Sequence, residues 1–212
     1  MIVAKRMMRN PVSVDENDSM KKAMDLLRDR EIRHLPVLKG GDRLVGIVSE
    51  RDIKQASPSP ATALEIREIY YLLDKVKVRQ IMTRRPYTIS STAPIEEAAL
   101  IMREKKIGCL PVVEDGRLVG ILTETDILDA FIESMGVSGP GYRVELALPN
   151  RPGMLFEVLS LLKDFSVNIV SVATAAHDDP EMKILILRIE TKSYKLLKAA
   201  LKNAGYEIVS AD

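Results

Sequence analysis

A hydroxyl followed three residues later by a carboxylate occurs twice in matching surroundings. Ser49-x-x-Asp52 lies in DRLVGIVSERDI (Asp42–Ile53), and Thr123-x-x-Asp126 lies in GRLVGILTETDI (Gly116–Ile127). Each pair follows an apolar β-type run and opens a helical pattern. The hydroxyl therefore falls at the N-cap and the carboxylate one turn inside. Two kinds of chemistry use that placement. In the first, the pair closes a capping box and the acid suits the positive end of the helix. In the second, the N–H groups of the helix start attract phosphate, the hydroxyl joins them, and the Asp accepts the hydroxyls of a ribose. Spacing leaves both open, and one does not forbid the other.

Little else in the chain suggests reactivity. The single cysteine, Cys109, allows neither an internal disulfide nor a metal cluster, and its apolar run places it in the core. His34 stands in a strand and His177 in a turn, too far apart in sequence to suggest a Cys–His or metal site. Asp178 and Asp179 are adjacent in a turn and poorly placed for paired-carboxylate work. No catalytic residue, resident metal or catalytic cofactor is expected. Lys and Arg number 31 against 30 for Asp and Glu, which disfavours general binding to nucleic acid or membrane surfaces. MIVAKRMMRN has no signal-type apolar core, and no apolar run nears the roughly 20 residues of a membrane helix. A cytoplasmic protein is expected.

The duplication that carries the two pairs extends well beyond them. MMRNPVSV (Met7–Val14) aligns with MTRRPYTI (Met82–Ile89), and IRHLPV (Ile32–Val37) with IGCLPV (Ile107–Val112), each 75 residues apart. The later phrases are 74 apart, because KGGD shortens to EDG, a change that a hairpin loop tolerates. Each copy reads β-α-β-β-α. Met20, Ala23, Met24, Leu27 and Ile32 mark the apolar side of the first helix, and Ile95, Ala98, Ala99 and Met102 that of its counterpart. Between the copies, Thr62 and Glu65 predict a capping box for a linker helix of about residues 62–77. Leu64, Ile69, Leu72, Leu73 and Val76 would form its apolar side. MGVSGPG marks a boundary, after which the chain reads β-α-β-β-α-β, a ferredoxin-like order. The fold class is α/β (α+β). The expected domains are a pair at 1–135 (copies at about 1–57 and 78–135) and a second domain at 141–212.

The doubled unit resembles a pair of CBS domains, on the strength of RHLPVL…RLVGIVSERDI and GCLPVV…RLVGILTETDI. The resemblance implies clefts for adenosyl ligands (AMP, ADP, ATP or S-adenosylmethionine) that join residues of both copies. It pairs Ser49 and Asp52 with Thr88, Ile107 and Gly108, and Thr123 and Asp126 with Ser13, Ile32 and Arg33. The copies differ at Arg51 against Thr125, Arg33 against Gly108 and Met8 against Thr83, so the clefts need not be equivalent. Arg51 and Arg33 would favour a polyphosphate. The stretch LPNRPGMLFEVLSLLKDFSVNIVSV resembles an ACT domain, which implies a free amino acid held at Asn150, Pro152, Gly153, Met154 and Asn168. The same loop has a structural reading: Asn150 as helix cap, Pro152 in the first turn, Gly153 for close backbone approach. Together the parts are similar to bacterial acetoin-utilisation-type CBS–ACT proteins. That implies a non-enzymatic regulator, a homodimer, acting on a target the sequence does not name. A structural or protein-interaction module without a small-molecule ligand is the alternative.

Overall fold

The computed structural model describes residues 1–57 and 66–211, with the side chains of 66, 67, 69 and 211 outside the description. The Thr62–Glu65 capping box, Leu64 and the side chain of Ile69 lie outside the described residues. The chain divides into two compact units, Met1–Leu128 and Asp129–Asp212.

In the first unit, a short 3-10 turn (Val3–Lys5) precedes β1 (Met8–Arg9), β2 (Val14–Asp15), α1 (Met20–Asp29), β3 (His34–Lys39), β4 (Arg43–Ser49) and α2 (Glu50–Ala56). Two linking helices follow, α3 (Ile66–Lys75) and α4 (Val78–Ile81). The second copy supplies β5 (Thr83–Arg84), α5 (Ile95–Lys105), β6 (Cys109–Glu114), β7 (Arg117–Thr123) and α6 (Glu124–Ser134), the last crossing the division. Ser19 caps α1 by accepting the Lys22 N–H. The helix buries Met20, Ala23 and Leu27 at its 3.6-residue spacing, while Ile32 lies beyond its end.

These side chains pack with Leu35, Val37, Val48 and Ile53, and with Leu73 of the linker helix. The linker's apolar side is narrower than expected. Leu73 is 4% exposed, but Leu72 is 42% exposed and stands with Tyr70 and Tyr71 on the outside. Val76, just beyond the helix end, packs against the same core as Leu73, whereas Leu72 lies about 100° around the helix from Leu73.

Strand pairing interlocks the copies. Each copy forms its own hairpin, β3 with β4 and β6 with β7. The first strand of each then crosses to the last strand of the other: β1 pairs β7 through Met8↔Ile121, and β5 pairs β4 through Ile47↔Thr83. Glycine permits these crossings. A Cβ on Gly46 would stand 2.5 Å from Met82 Sδ and 3.0 Å from the Thr83 carbonyl oxygen. At Gly120 the distances to Met7 Sδ and the Met8 carbonyl oxygen are 2.6 and 3.0 Å. The glycine of each VGI phrase is thus a packing requirement.

The second unit contains β8 (Tyr142–Pro149), α7 (Met154–Lys163), β9 (Asn168–Ala176), β10 (Met182–Glu190), α8 (Tyr194–Asn203) and β11 (Glu207–Ala211). The sheet order β11-β8-β10-β9, antiparallel throughout, is that of the expected ferredoxin-like sandwich. Val144, Leu146 and Leu148 of β8 and Leu185, Leu187 and Ile189 of β10 alternate onto one face. There they meet Val158 and Leu162 of α7 and Leu197 and Leu201 of α8.

Candidate functional site

Both hydroxyl–carboxylate pairs form the same local structure. Ser49 N–H and Oγ–H donate to Asp52 Oδ2 at 2.8 and 2.7 Å, and the Asp52 N–H returns to Ser49 Oγ at 3.3 Å. The equivalent distances at Thr123 and Asp126 are 2.7, 2.7 and 3.3 Å. In each carboxylate one oxygen takes both bonds, and Oδ1 has no partner among the described residues. The capping reading and a free acceptor therefore coexist at each place. A further matching bond ties each helix start to the residue just ahead of the first strand of its hairpin: Glu50 N–H to Arg33 O at 3.2 Å, and Glu124 N–H to Gly108 O at 3.1 Å.

The space beside the two pairs differs. A cavity of about 780 Å³ adjoins Ser49, Arg51 and Asp52 of the first copy. Because β5 has crossed to β4, the far wall comes from the second copy: Thr83 to Tyr87, and Lys106 to Cys109. Ile107, Gly108 and Arg33 are among the lining residues. Thr88 is not in the wall; its neighbour Tyr87, 54% exposed, is. The other cavity measures about 180 Å³ and includes Thr123, Ile32, Arg33 and Met8. Neither Ser13 nor Asp126 lines it. Met8 stands where the larger cleft has Thr83, and Arg33 where it has Gly108, so bulkier side chains occupy the narrower space.

Sequence reasoning passed over His34, Arg84, Arg85, Tyr87 and Lys106. His34 borders both cavities. Burial first, and then the Arg33 charge, hold its imidazole below the usual histidine range, against the opposing pull of Asp52 and Glu124. Arg85 and Lys106 have positive φ of 50° and 55° at turns, and their aligned counterparts Asn10 and Glu31 have 48° and 53°. Cys109 is buried, which pushes its thiol up to about 12 with help from the Glu124 charge, so it stays a neutral core residue. Among the described residues no cluster of His, Cys, Asp or Glu could hold a metal ion.

In the second unit the expected amino-acid residues do not converge within one chain. Met182↔Pro149 pairs at one end of the sheet and Glu190↔Asn168 at the other, so Asn168 is a strand's length from Asn150. Asn168 instead donates to Glu190 Oε2 at 3.2 Å beside a separate cavity. Asn150 and Met154 border a cavity of about 200 Å³; Pro152 and Gly153 do not. Asn150 is also not the helix cap. Its N–H donates to Glu181 O at 2.7 Å, and α7 is capped by Gly153 at φ 89°. Gly153 serves that left-handed turn rather than close approach, since the nearest atom to a Cβ there would be 4.0 Å away.

Comparison with known proteins agrees with this division. The CBS domain model matches residues 3–59 and 78–133, and the TTHA0829-like ACT domain model matches 140–211. Among solved structures, a Vibrio cholerae protein given the acetoin-utilization name AcuB is 29% identical, with TM-score 0.54, over 65% of this chain and 95% of that one. The CBS domain pair of protein MJ0100, solved with 5-methylthioadenosine and S-adenosyl-L-methionine, is 30% identical with TM-score 0.51. It covers 62% of this chain and 99% of that one. CBSX2, solved with AMP, is 31% identical with TM-score 0.51, covering 62% and 96%.

Proposed function

This chain belongs to the CBS-domain family, with a TTHA0829-like ACT domain behind its CBS pair, and from that membership we propose a regulatory protein that senses an adenosyl ligand. Both are regulatory, non-catalytic domain types, and the chain is read as having no catalytic role of its own. The proposed site is the larger cleft, with Ser49, Asp52, Ile107, Gly108 and Arg33 around AMP, ADP, ATP or S-adenosylmethionine. One observation carries the reading. Asp52 keeps Oδ1 free of partners among the described residues, at the edge of a cavity of about 780 Å³, within the range of small-molecule sites. A ribose diol is a donor pair of the kind this carboxylate oxygen accepts. At the second pair only Thr123, not Asp126, lines a cavity, and that cavity is below the range. Ligands of that type in MJ0100 and CBSX2, at similar folds, support the assignment.

Ligand binding across the interlocked copies would favour one arrangement of the pair and pass that bias on to the ACT domain. The ACT domain is assigned either amino-acid binding near Asn150 and Met154 or dimerisation. Its edge strand β9 exposes Ile169, Val170 and Val172, an unpaired edge suited to a second copy. Light scattering of the full chain tests the homodimer; a strict monomer rejects it. The AcuB neighbour supports a role connected with acetoin utilisation, and the cytoplasm is the proposed location. The competing reading is a structural or protein-interaction module, favoured by capping boxes that are complete without any ligand.

A thermal-shift and calorimetry panel of AMP, ADP, ATP, NAD and S-adenosylmethionine separates the two readings. A true ligand at 100 times its dissociation constant stabilises by about 2.7 kcal/mol, and Asp52→Asn weakens that effect. If no adenosyl compound shifts the midpoint, the structural reading stands. A shift that survives Asp52→Asn moves the site elsewhere. Free amino acids added to the same panel test the ACT loop.

A further inference from the structure

We infer that the Ser49–Asp52 cleft selects a nucleoside polyphosphate over an uncharged nucleoside or S-adenosylmethionine, through a cationic rim made by Arg51, Arg84, Arg85 and Lys106. The inference rests on the adenosyl reading above and deepens it. These four, with Arg33, line the cavity against two carboxylates, Glu50 and Asp52. Glu50 is already offset by Lys54 at 3.5 Å, and Asp52 has committed one oxygen to Ser49. Arg33, Arg51, Arg85 and Lys106 have no ion-pair partner among the described residues, and Arg84 donates only to the Arg79 carbonyl at 3.4 Å. A cavity edged with unneutralised cations attracts polyanions and repels the sulfonium of S-adenosylmethionine.

The other cleft serves as an internal control, because it is built on the same backbone. Both copies hold the turn residues in left-handed conformation, Arg85 against Asn10 and Lys106 against Glu31. Such a conformation costs a non-glycine residue roughly 1 kcal/mol and is most natural to Asn, so an Arg or Lys there is no conformational convenience. Arg51 likewise replaces Thr125. All three exchanges make the larger cleft more positive, whereas the smaller one has Arg33 and Glu31 in balance. The whole chain has a net charge of only +1, so the positive rim is local. A cleft of about 780 Å³ fits a small polyanion rather than a nucleic acid.

Calorimetry on the full chain with adenosine, AMP, ADP, ATP and S-adenosylmethionine, magnesium omitted, tests the charge claim. Affinity should rise about three- to fivefold per added phosphate, as exposed ion pairs allow. S-adenosylmethionine should bind more weakly than AMP, and ATP binding should fall with salt while adenosine binding does not. Arg85→Asn with Lys106→Glu, which installs the residues of the other copy at exposed turns, should flatten the phosphate series and spare adenosine. A flat series in the unaltered protein, or S-adenosylmethionine tighter than ATP, with binding still lost in Asp52→Asn, overturns the polyphosphate inference and leaves the adenosyl reading standing. If no adenosyl compound binds, the adenosyl reading fails and this inference with it. Inorganic tripolyphosphate should compete with ATP; an ATP site indifferent to it counts against the rim.

Discussion

Ser49 with Asp52 and Thr123 with Asp126 make the same three hydrogen bonds, with the hydroxyl-to-carboxylate contact at 2.7 Å in each. Yet Ser49 and Asp52 both border about 780 Å³ of space, whereas of the second pair only Thr123 borders a cavity, of about 180 Å³. The difference arises outside the repeated phrase, in residues delivered by the opposite copy. Thr83, Tyr87, Lys106 and Gly108 surround the first pair, where Met8, Val12, Glu31 and Arg33 surround the second. Duplication preserved the hydrogen-bonding frame, and the crossing strands made its two uses diverge. Fold and specificity therefore reside in different residues of each copy.

The largest predicted effect tests whether that divergence reaches the ligand. Asp52→Asn keeps the side chain's shape and removes its charge. Losing a charged hydrogen-bond acceptor costs about 1.5–3 kcal/mol, or roughly ten- to hundredfold in affinity. Asp126→Asn should leave that affinity within about twofold, measured by calorimetry with the tightest adenosyl ligand. Equal losses in both variants would mean that the clefts act as one site despite their volumes.

The next prediction concerns the frame, where the copies should behave alike. Gly46→Ala and Gly120→Ala each drive a Cβ towards a methionine sulfur, which can move, and a carbonyl oxygen 3.0 Å away, which cannot without shifting the crossing strand. Overpacking of this kind costs about 1–3 kcal/mol. Urea unfolding should show similar losses for both variants. A difference above about 1 kcal/mol would place the asymmetry in the scaffold as well as in the rim.

Much of this was legible in the sequence because the repeat is local. Strand, cap and helix follow each other within twelve residues, so Ser49–Asp52 and Thr123–Asp126 could be placed from spacing. The cleft walls depend instead on β5 pairing with β4, across Ile47↔Thr83, and such long-range pairing leaves no periodic trace. Arg84, Arg85, Tyr87 and Lys106 were missed for that reason. The left-handed turn at Arg85, ahead of Pro86, helps decide which of the following side chains meets the cavity, and spacing cannot tell Tyr87 from Thr88. In the ACT unit, Asn168 was grouped with Asn150 by resemblance, but the strand register puts them at opposite ends of the sheet.

The smallest predicted effect comes from aligned positions with different titration behaviour, His34 and Cys109. Each pairs with its copy's capping hydroxyl residue, His34↔Ser49 and Cys109↔Thr123. Burial raises the Cys109 thiol to about 12, so it stays neutral at ordinary pH. Burial lowers His34 from 6.5, so between its folded value and 6.5 the unfolded chain binds more protons than the folded one. Stability from a neutral His34 is therefore complete above pH 6.5 and declines as pH falls towards the folded value. Melting temperatures at pH 7.5 and 5.5 should differ by about 1–2 °C more in the unaltered protein than in His34→Gln. A saturating polyphosphate should shrink that excess, because an anion beside the imidazole favours its protonated form. If the excess persists unchanged with ATP bound, His34 does not sense the phosphates, and the occupied part of the cleft lies away from it.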